Sequence, residues 1–275
     1  MIFVTGATGN VGRHVVDLLL AEGAEVRALT RDPAGAGLPA GVEVVGDDRF
    51  AGIRAVFLNP AAVGDRTAAL LAAAREQGVS RAVLLSSASV QDGVAVQPGP
   101  IAERHKVIED AVEASGLEWT FLRPGEFASN ALFQLAPQIR ASGDGIVRGP
   151  YGRSHMAPIH ERDIAAVAVR ALLDDGLTGT RPALTGPESL TFIDKIRLIG
   201  EATERPLRFE ELTPEQGRAA MTQAGIPAPV ADVLLRYQAE GVDRPAPISP
   251  AVREITGRPG LTFAQWAADH AGDFA

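Results

Sequence analysis

The chain of 275 residues contains no cysteine. Disulfide bonds, thiolate nucleophiles and cysteine-ligated metal sites are therefore excluded, and the absence fits a reducing compartment. The sequence also lacks any apolar run near the roughly 18 residues that a membrane-spanning helix needs. Because the first residues already have the pattern of a core strand, we expect no signal peptide and predict a cytoplasmic protein without membrane contact.

The chain has no excess of basic residues. Its 26 lysines and arginines are outnumbered by 34 aspartates and glutamates, which gives a formal net charge of −8. Without a basic cluster, nucleic-acid binding has no electrostatic basis. We also expect no metal site, because the histidines show no ligand spacing within any one element. The five histidines are His14, His105, His155, His160 and His270.

The most specific pattern lies in the first twenty residues. Ile2–Val4 is a short apolar run without polar alternation, which is typical of a parallel strand covered on both faces. From Val11 onward, apolar residues recur at helical spacing. Between these two segments, glycines occur at every third position, namely Gly6, Gly9 and Gly12. The pattern predicts a strand, a glycine turn and a helix.

A glycine turn at the head of a helix is the form that a dinucleotide-binding site takes. The pyrophosphate binds free backbone N–H groups at the positive end of the helix dipole, and Cβ atoms in the turn would block its approach. Gly6 permits the tight turn, Gly9 close approach of the ligand, and Gly12 close packing of helix on strand. An ordinary strand-to-helix turn is the alternative, but the sequence context favours nucleotide binding. We predict cofactor contacts at Gly6, Ala7, Thr8, Gly9, Asn10, Val11 and Gly12.

The second strand, predicted at residues 25–30, indicates which dinucleotide is bound. In NAD-preferring folds an acidic residue at the end of this strand accepts hydrogen bonds from the ribose 2′-hydroxyl. Thr30 occupies that place here, and Arg31 follows it directly. Because a guanidinium pairs well with a phosphate, Arg31 favours NADP(H) as the cofactor. An exposed loop arginine is the alternative interpretation.

Strands and helices continue to alternate through the first two thirds of the chain. Further strands are predicted at 42–45, 55–58, 81–85 and 117–123, and helices at 66–76, 100–114 and 164–173. The link between the third and fourth strands is too short for a helical crossover. Since the carboxyl ends of parallel strands meet at the ligand crevice, polar residues at those ends are site candidates. We expect Asp47, Asn59 and Ser86 to contact the cofactor and Ser87 to act on the substrate.

The alternation weakens after residue 185. Helices are predicted at 192–203, 214–224 and 228–240 and from residue 262, with a strand at 207–211 and short strand character at 157–160. Asp163 is expected to cap or salt-bridge the helix that follows it. The fold class is therefore α/β: a Rossmann-type doubly wound parallel sheet over residues 1–185 and a small C-terminal substrate-binding lobe over 186–275. Residues 126–156 are expected to contribute to the substrate cleft.

Several short motifs resemble the NmrA-like branch of the atypical short-chain dehydrogenases/reductases. They are VTGATGNVG at 4–12, RDP at 31–33, LLSSA at 84–88, LRPG at 122–125 and LTFAQWA at 261–267. The resemblance covers nearly the whole chain and implies NADP(H) in the glycine turn, with substrate between the two lobes. Members of the family include NADPH-dependent quinone and azo-dye reductases, reductases of secondary metabolism, and proteins that bind NADP without evident catalysis.

Two features depart from the family pattern. The short link between the third and fourth strands lacks a helix that the family usually has, which would open the adenine side of the site. In addition, the tyrosine and lysine that most short-chain dehydrogenases place one helical turn apart are absent. The register set by Glu109 puts His105 in the lysine place and Ile101 in the tyrosine place, while Ser87 matches the family's serine.

With no phenol on this helix, His105 becomes the predicted proton donor, because an imidazole titrates near neutral pH. The alternative role of His105 is packing on the apolar stripe of the helix. If the register is off by one residue, Lys106 is the candidate proton donor instead. Glu109 either pairs with His105 or is a solvated carboxylate. Phe127, Phe133 and Tyr151 would line an apolar substrate pocket or pack in the core.

We therefore expect an NADPH-dependent reductase that moves hydride to a small planar or carbonyl-bearing molecule, acting as a monomer or a homodimer. A non-catalytic NADP-binding sensor is the first alternative, motivated by the missing tyrosine. A non-redox isomerase or cyclase on the same fold is the second.

Overall fold

The structure is a computed structural model that describes residues 1–275. Its centre is a seven-stranded parallel sheet with the order β3-β2-β1-β4-β5-β6-β9, which confirms the predicted Rossmann-type fold. The eleven strands are β1 (Ile2–Thr5), β2 (Val26–Leu29), β3 (Glu43–Val45), β4 (Ala55–Leu58), β5 (Arg81–Leu85), β6 (Glu118–Pro124), β7 (Ile146–Gly149), β8 (His155–Met156), β9 (Ala183–Leu184), β10 (Leu190–Thr191) and β11 (Arg208–Glu211).

Twelve α-helices accompany these strands. They are α1 (Asn10–Ala21), α2 (Pro60–Val63), α3 (Thr67–Glu76), α4 (Pro100–Ala114), α5 (Asn130–Gln134), α6 (Ala136–Ala141), α7 (Glu161–Leu173), α8 (Phe192–Ala202), α9 (Pro214–Gln223), α10 (Ala228–Glu240), α11 (Ala251–Thr256) and α12 (Phe263–Asp269). None of them combines the length and the apolar composition that crossing a bilayer requires.

The apolar strands are buried on both faces of the sheet. In β1, Ile2 and Val4 pack into the core that α1 and α7 cover, whereas Phe3 points into the core covered by α3 and α4. Successive side chains of a strand point to opposite faces, so a strand between two helical layers needs apolar residues at every position. This is why the central strands lack polar alternation.

A loop rather than a helix joins β3 to β4, as the short link predicted. Phe50 and Ile53 of this loop are buried in the core on the α3 and α4 face. The Arg27 guanidinium on β2 donates to the carbonyl oxygens of Arg49 and Ala51, at 2.9 and 3.1 Å. Two apolar side chains and one arginine thus replace the missing helix.

Three local features differ from the sequence prediction or add to it. The segment 142–152, for which no strand is predicted, contains β7, which pairs in parallel with β11 far along the chain. The strand expected at 157–160 lies slightly earlier, as β8, and pairs with β10. The sheet also gains β9, whose two residues are too few to show a periodic pattern.

The C-terminal lobe has an aromatic core of its own around Trp266, Phe263 and Phe274. This core also takes residues from the segment 128–147, so chain from before and after residue 185 shares one cluster. Val252 of α11 packs instead into the core beside α7. The division of the chain at residue 185 stays a prediction.

The beginning of α7 carries the contacts that fasten the C-terminal segment to the sheet domain. The ring of His160 caps the helix by accepting from the Arg162 N–H, so Asp163 is not the cap. Asp163, fully buried, pairs with Arg258 at 2.7 Å and accepts from the Leu261 N–H at 2.6 Å, which confirms the salt-bridging role.

A second buried acid at the same helix end holds His270. The two groups are 2.8 Å apart, between Nε2 of His270 and Oε1 of Glu161. This hydrogen bond is the main reason that the pKa of His270 is raised to about 8, and Asp273 adds to the effect. Protonated His270 therefore links α12 to α7.

We expect His270→Gln to destabilise the protein in a pH-dependent way. Because the folded state raises the pKa above its unfolded value near 6.5, the extra stability is fully present below that value and is lost as pH rises through about 8. The loss should reach up to about 2 kcal/mol at pH 6 and be much smaller at pH 9, measured by urea unfolding. In a Glu161→Gln background the same substitution should have little pH dependence; an equal loss at both pH values would contradict this assignment.

Candidate functional site

The turn after β1 brings backbone atoms into direct contact. Gly6 has a φ of 63°, in the left-handed region that glycine favours, and its carbonyl oxygen accepts from the Gly9 N–H at 3.0 Å. A Cβ on Gly12 would lie only 2.0 Å from that same oxygen. Since no side chain caps the N-terminus of α1, its first N–H groups point into the crevice with the positive end of the dipole.

Two residues from the ends of β1 and β4 lock this turn against the neighbouring strand. Thr5 Oγ1 donates to the carbonyl oxygen of Phe57 at 3.0 Å and accepts from the Asn59 N–H at 2.8 Å. Asn59 then lies so close to Gly6 that a Cβ there would be 2.7 Å from its Nδ2 atom. Gly6 is therefore required both for its backbone conformation and for the space beside Asn59.

The turn opens into a cavity of about 510 Å³ at the carboxyl ends of β1, β2 and β4, which we call the cofactor cavity. Three arginines line it. The guanidinium of Arg13 donates to the carbonyl oxygens of Thr8, Ala36 and Gly37, and that of Arg66 pairs with Asp48. Arg31 alone of the three has no acceptor within the protein. The other lining residues used below are Gly6, Thr8, Gly9, Thr30 and Asn59.

The remaining predicted cofactor contacts fall into two groups. Ala7, Val11 and Gly12 are buried and do not line the cofactor cavity, while Asn10 is exposed at the start of α1. Their contacts with the cofactor stay predictions. Asp47 does not line the cofactor cavity. Its carboxylate pairs with Arg49 at 2.7 Å in the exposed loop after β3, and its contact with the cofactor stays a prediction.

Ser86 lies at the expected strand end, but its side chain points into the protein. Its hydroxyl donates to Oε1 of Glu109 at 2.5 Å and only 3% of the residue is exposed. Its hydroxyl proton is therefore used within the protein, and the contact of Ser86 with the cofactor stays a prediction. The hydrogen bond belongs to a larger buried network.

Arg123 is the centre of that network. Its guanidinium makes a two-pronged bond to Glu109, at 3.0 and 2.7 Å, and a second one to Asp92, at 2.8 Å for both contacts. Glu109 is 1% exposed, so it is neither solvated nor paired with His105, contrary to both expectations. The buried charge is stable because Arg123 and Ser86 satisfy both carboxylate oxygens. The network ties α4 to the ends of β5 and β6.

A second cavity of about 440 Å³ lies between the strand ends and the C-terminal lobe, and we call it the substrate cleft. One wall consists of residues at the ends of β5 and β6, and the other comes from the lobe. Its lining residues are Ser87, Ala88, Ser89, Gln91, Ile101, Pro124, Gly125, Glu126, Asn130, Gln134, Tyr151, Ser154, Met156, Phe192, Lys195, Leu234, Tyr237 and Gln238.

The structure separates the two predicted catalytic residues. Ser87 lines the substrate cleft, and its Oγ lies 2.9 Å from Oγ of Ser89 while accepting from the Ser89 N–H. His105 does not line the cleft, although Ile101, one turn earlier on α4, does. Burial, and then Arg104, lower the pKa of His105, and its Nδ1 atom is buried without a hydrogen-bond partner. A proton-donor role for His105 stays a prediction that its placement does not favour.

Of the three aromatic residues considered for the pocket, only Tyr151 lines the cleft. Phe127 packs against the core beside α7, and the Phe133 side chain is exposed. Sequence reasoning missed Tyr237 and the pair Lys195 and Glu126, whose Nζ to Oε1 distance is 2.8 Å. One signal was available, because the chain has only two tyrosines and both line the cleft.

A glycine turn on a parallel sheet, beside a second cavity at the same edge, is the arrangement of a Rossmann-type nucleotide-binding protein. Residues 6–175 match the NAD(P)H-binding family, and the chain belongs to this family. Within it, the motifs resemble those of the NmrA-like atypical short-chain dehydrogenases/reductases, and the fold is compatible with that resemblance. The chain is an NAD(P)H-dependent oxidoreductase.

Two relatives match over the full length. The chain is 41% identical to the (4-alkanoyl-5-oxo-2,5-dihydrofuran-3-yl)methyl phosphate reductase of Streptomyces griseus, covering 100% of this chain and 99% of that protein. It is 35% identical to the NAD(P)H azoreductase of Xenophilus azovorans, with the same coverage. Among solved structures, the Citrobacter sp. triphenylmethane reductase complexed with NADP(H) has a TM-score of 0.78 at 21% identity, covering 98% of this chain and 100% of that one. At that identity the likeness shows the fold.

We expect Gly9→Ala to weaken NADPH binding at least tenfold with little loss of stability, because the loss of one charge-assisted hydrogen bond is worth about that factor. The new Cβ would lie 3.3 Å from the Gly6 oxygen, a contact that a small shift relieves, yet it would cover the N–H groups of the turn. Calorimetric titration and thermal unfolding measure the two effects.

Gly12→Ala is the matched control for Gly9→Ala. Its Cβ would overlap the Gly6 carbonyl at 2.0 Å, so it should lower the melting temperature strongly. If Gly9→Ala binds NADPH as tightly as the wild type, the pyrophosphate does not lie on this turn.

Proposed function

We propose that this oxidoreductase transfers hydride from NADPH to a small uncharged molecule bound in the substrate cleft. The observation that carries the proposal is the position of the two cavities along one edge of the sheet. The cofactor cavity occupies the ends of β1, β2 and β4, and the substrate cleft begins at the ends of β5 and β6. When bound, the cofactor supplies the hydride, and the chain's residues orient the acceptor and exclude water.

The charges in the cleft support an uncharged substrate. Lys195 and Glu126 are the only ionised side chains that line it, and they neutralise each other. Both are nearly buried, so separating them to bind an ion would leave one charge unpaired. The Streptomyces griseus relative is named for a phosphate substrate. The present cleft has no free cation for such a group, and we propose a neutral conjugated carbonyl, quinone or related acceptor instead.

We further propose that the reaction proceeds without the tyrosine and lysine pair of most short-chain dehydrogenases. Neither tyrosine has a lysine four residues later, since His155 follows Tyr151 and Gly241 follows Tyr237. Ser87, two residues after the end of β5, lines the cleft, and we propose that it hydrogen-bonds the acceptor atom of the substrate. Conjugation makes this feasible, because it spreads the negative charge that hydride transfer creates.

We propose a cytoplasmic protein that does not bind nucleic acid, and the composition supports both proposals. The net charge of −8 offers no attraction for nucleic acid, and the absence of cysteine fits the cytoplasm. We propose a monomer or a homodimer.

NADPH oxidation on a panel of neutral enones, quinones and azo compounds tests the reductase. We expect steady turnover and a product that has gained two hydrogen atoms by mass spectrometry. Tight NADPH binding without turnover on any member of the panel would favour a sensor. A product of unchanged mass would favour an isomerase or cyclase.

We expect Arg31→Ala to weaken NADPH binding by roughly tenfold or more and to leave NADH binding almost unchanged, since a charged contact to phosphate contributes about that factor. The reason is that its unpaired guanidinium lines the cofactor cavity next to Thr30. Titration of both cofactors measures the ratio. Arg49→Ala is the control, because Arg49 pairs with Asp47 outside the cavity. Equal losses for NADPH and NADH would show that Arg31 does not touch the 2′-phosphate.

A further inference from the structure

The substrate cleft contains the only two phenols of the chain, Tyr151 and Tyr237. Both side chains are partly buried, and neither hydroxyl makes a hydrogen bond to another protein group. A phenol in such a place presents a free O–H donor to whatever occupies the cleft. The two tyrosines differ in their backbones, because Tyr237 lies within the regular helix α10.

Tyr151 has a φ of 55°, in the left-handed region. For a bulky side chain this conformation is unfavourable, and residues held in it concentrate at functional sites. Two other residues besides glycine share a positive φ, Glu204 and Asp243. Both follow the C-terminal end of a helix, where left-handed residues are common, whereas Tyr151 follows strand β7.

The surroundings of Tyr151 fix this conformation from several directions. Its carbonyl oxygen accepts from the Ser154 N–H at 2.8 Å. The next residue, Gly152, donates its N–H to both carboxylate oxygens of Glu211 at 3.2 Å, and its carbonyl oxygen accepts from Ile193 at 3.2 Å. A Cβ on Gly152 would lie 2.3 Å from the Phe209 ring, so the chain is also packed tightly here.

This set of contacts has a clear effect on the side chain. Residues 151 and 152 form backbone hydrogen bonds with three separate elements, namely β11, the start of α8 and the turn to β8. The backbone therefore cannot relax to an ordinary conformation, and the phenol is held over the cleft although the protein gains no hydrogen bond from its hydroxyl. Such preorganisation is what a donor to a reacting atom requires.

We infer that Tyr151 is the catalytic residue that donates a hydrogen bond, and then a proton, to the acceptor oxygen of the substrate. This inference rests on the proposed reductase function. Hydride from NADPH bonds to the electrophilic carbon, and the π electron pair of the substrate moves onto its oxygen. That oxygen takes the proton from the O–H of Tyr151, and water then returns a proton to the phenolate. NADPH is oxidised to NADP⁺, and the substrate gains one hydride and one proton.

Tyr151 thereby acts as the proton donor in place of the tyrosine that helix α4 lacks, and it does so from the opposite wall of the cleft. Ile101 occupies the place on α4 and lines the cleft, whereas His105 is not among the lining residues and its Nδ1 atom is buried without a hydrogen-bond partner. Ser87, on the sheet side, and Tyr151, on the lobe side, would bind the same oxygen from two directions.

Tyr151→Phe tests the inference, because it removes only a hydroxyl without a protein partner and should fold normally. With the best substrate of the panel, we expect kcat to fall about 10²-fold, the range for loss of a general acid. KM should change less than about threefold, since the donated bond strengthens mainly in the transition state. NADPH affinity and the melting temperature should match the wild type. The isotope effect of deuterated NADPH on kcat should rise, because hydride transfer becomes slower than the other steps.

Three further variants decide between donors. Tyr151→Asn, which suits the left-handed backbone, should lose kcat to a similar degree while the fold persists. Tyr237→Phe and His105→Gln each remove a competing proton donor. If either lowers kcat 10²-fold while Tyr151→Phe keeps more than half of it, the inference is overturned. A wild-type chain that binds NADPH yet reduces no member of the panel overturns the proposed function, and this inference with it.

Discussion

The contact between the Gly6 carbonyl oxygen and the backbone of Gly12 is the constraint on which the rest of the structure depends. It lets the first turn of α1 lie directly against the turn after β1, because Gly12 has no side chain at that point. In that position α1 packs against α7 over the same face of the sheet. The beginning of α7 in turn holds the C-terminal segment through Glu161 and Asp163. A close approach of two backbones at the first turn thus determines where the lobe lies.

A second constraint shapes the other end of the site. Arg123 and Glu109 form a buried, fully hydrogen-bonded ion pair, and removing Arg123 would leave the Glu109 carboxylate as an uncompensated charge in the interior. The pair also holds Ser86, and so it fixes the strand end from which Ser87 enters the substrate cleft. Cofactor and substrate cavities are therefore positioned by different forces, close packing in one case and buried charge in the other.

Much of the fold follows from patterns within single segments. The helices at 100–114 and 228–240 agree with the structure to the residue, because proline in the first turn and helical spacing mark their bounds. The glycine turn and Asn59 were found because their chemistry depends on local order along the chain. Arg31 lines the cofactor cavity as its position after β2 indicated.

The features that sequence reasoning missed depend on contacts between distant segments. The partner of Glu109 is Arg123, on another element, and nothing in the helix shows that this carboxylate is buried. The parallel pairing of β7 with β11 joins segments separated by α7 and α8. The left-handed backbone of Tyr151 is imposed by Glu211, Ile193 and Phe209, and the local sequence does not encode it. The pairing of Asp47 with Arg49 is also hidden from sequence, because a strand end does not determine which way an exposed loop turns.

The loop between β3 and β4 gives bound nucleotide a part in the architecture. Phe50 and Ile53 cover the sheet there with far less chain than a helix would provide. A nucleotide in the cofactor cavity would bury surface beside Gly46, at the start of the same loop, and a ligand that binds only the folded chain raises stability by mass action. The supply of nucleotide would then affect how long the protein survives proteolysis, as well as how fast it works.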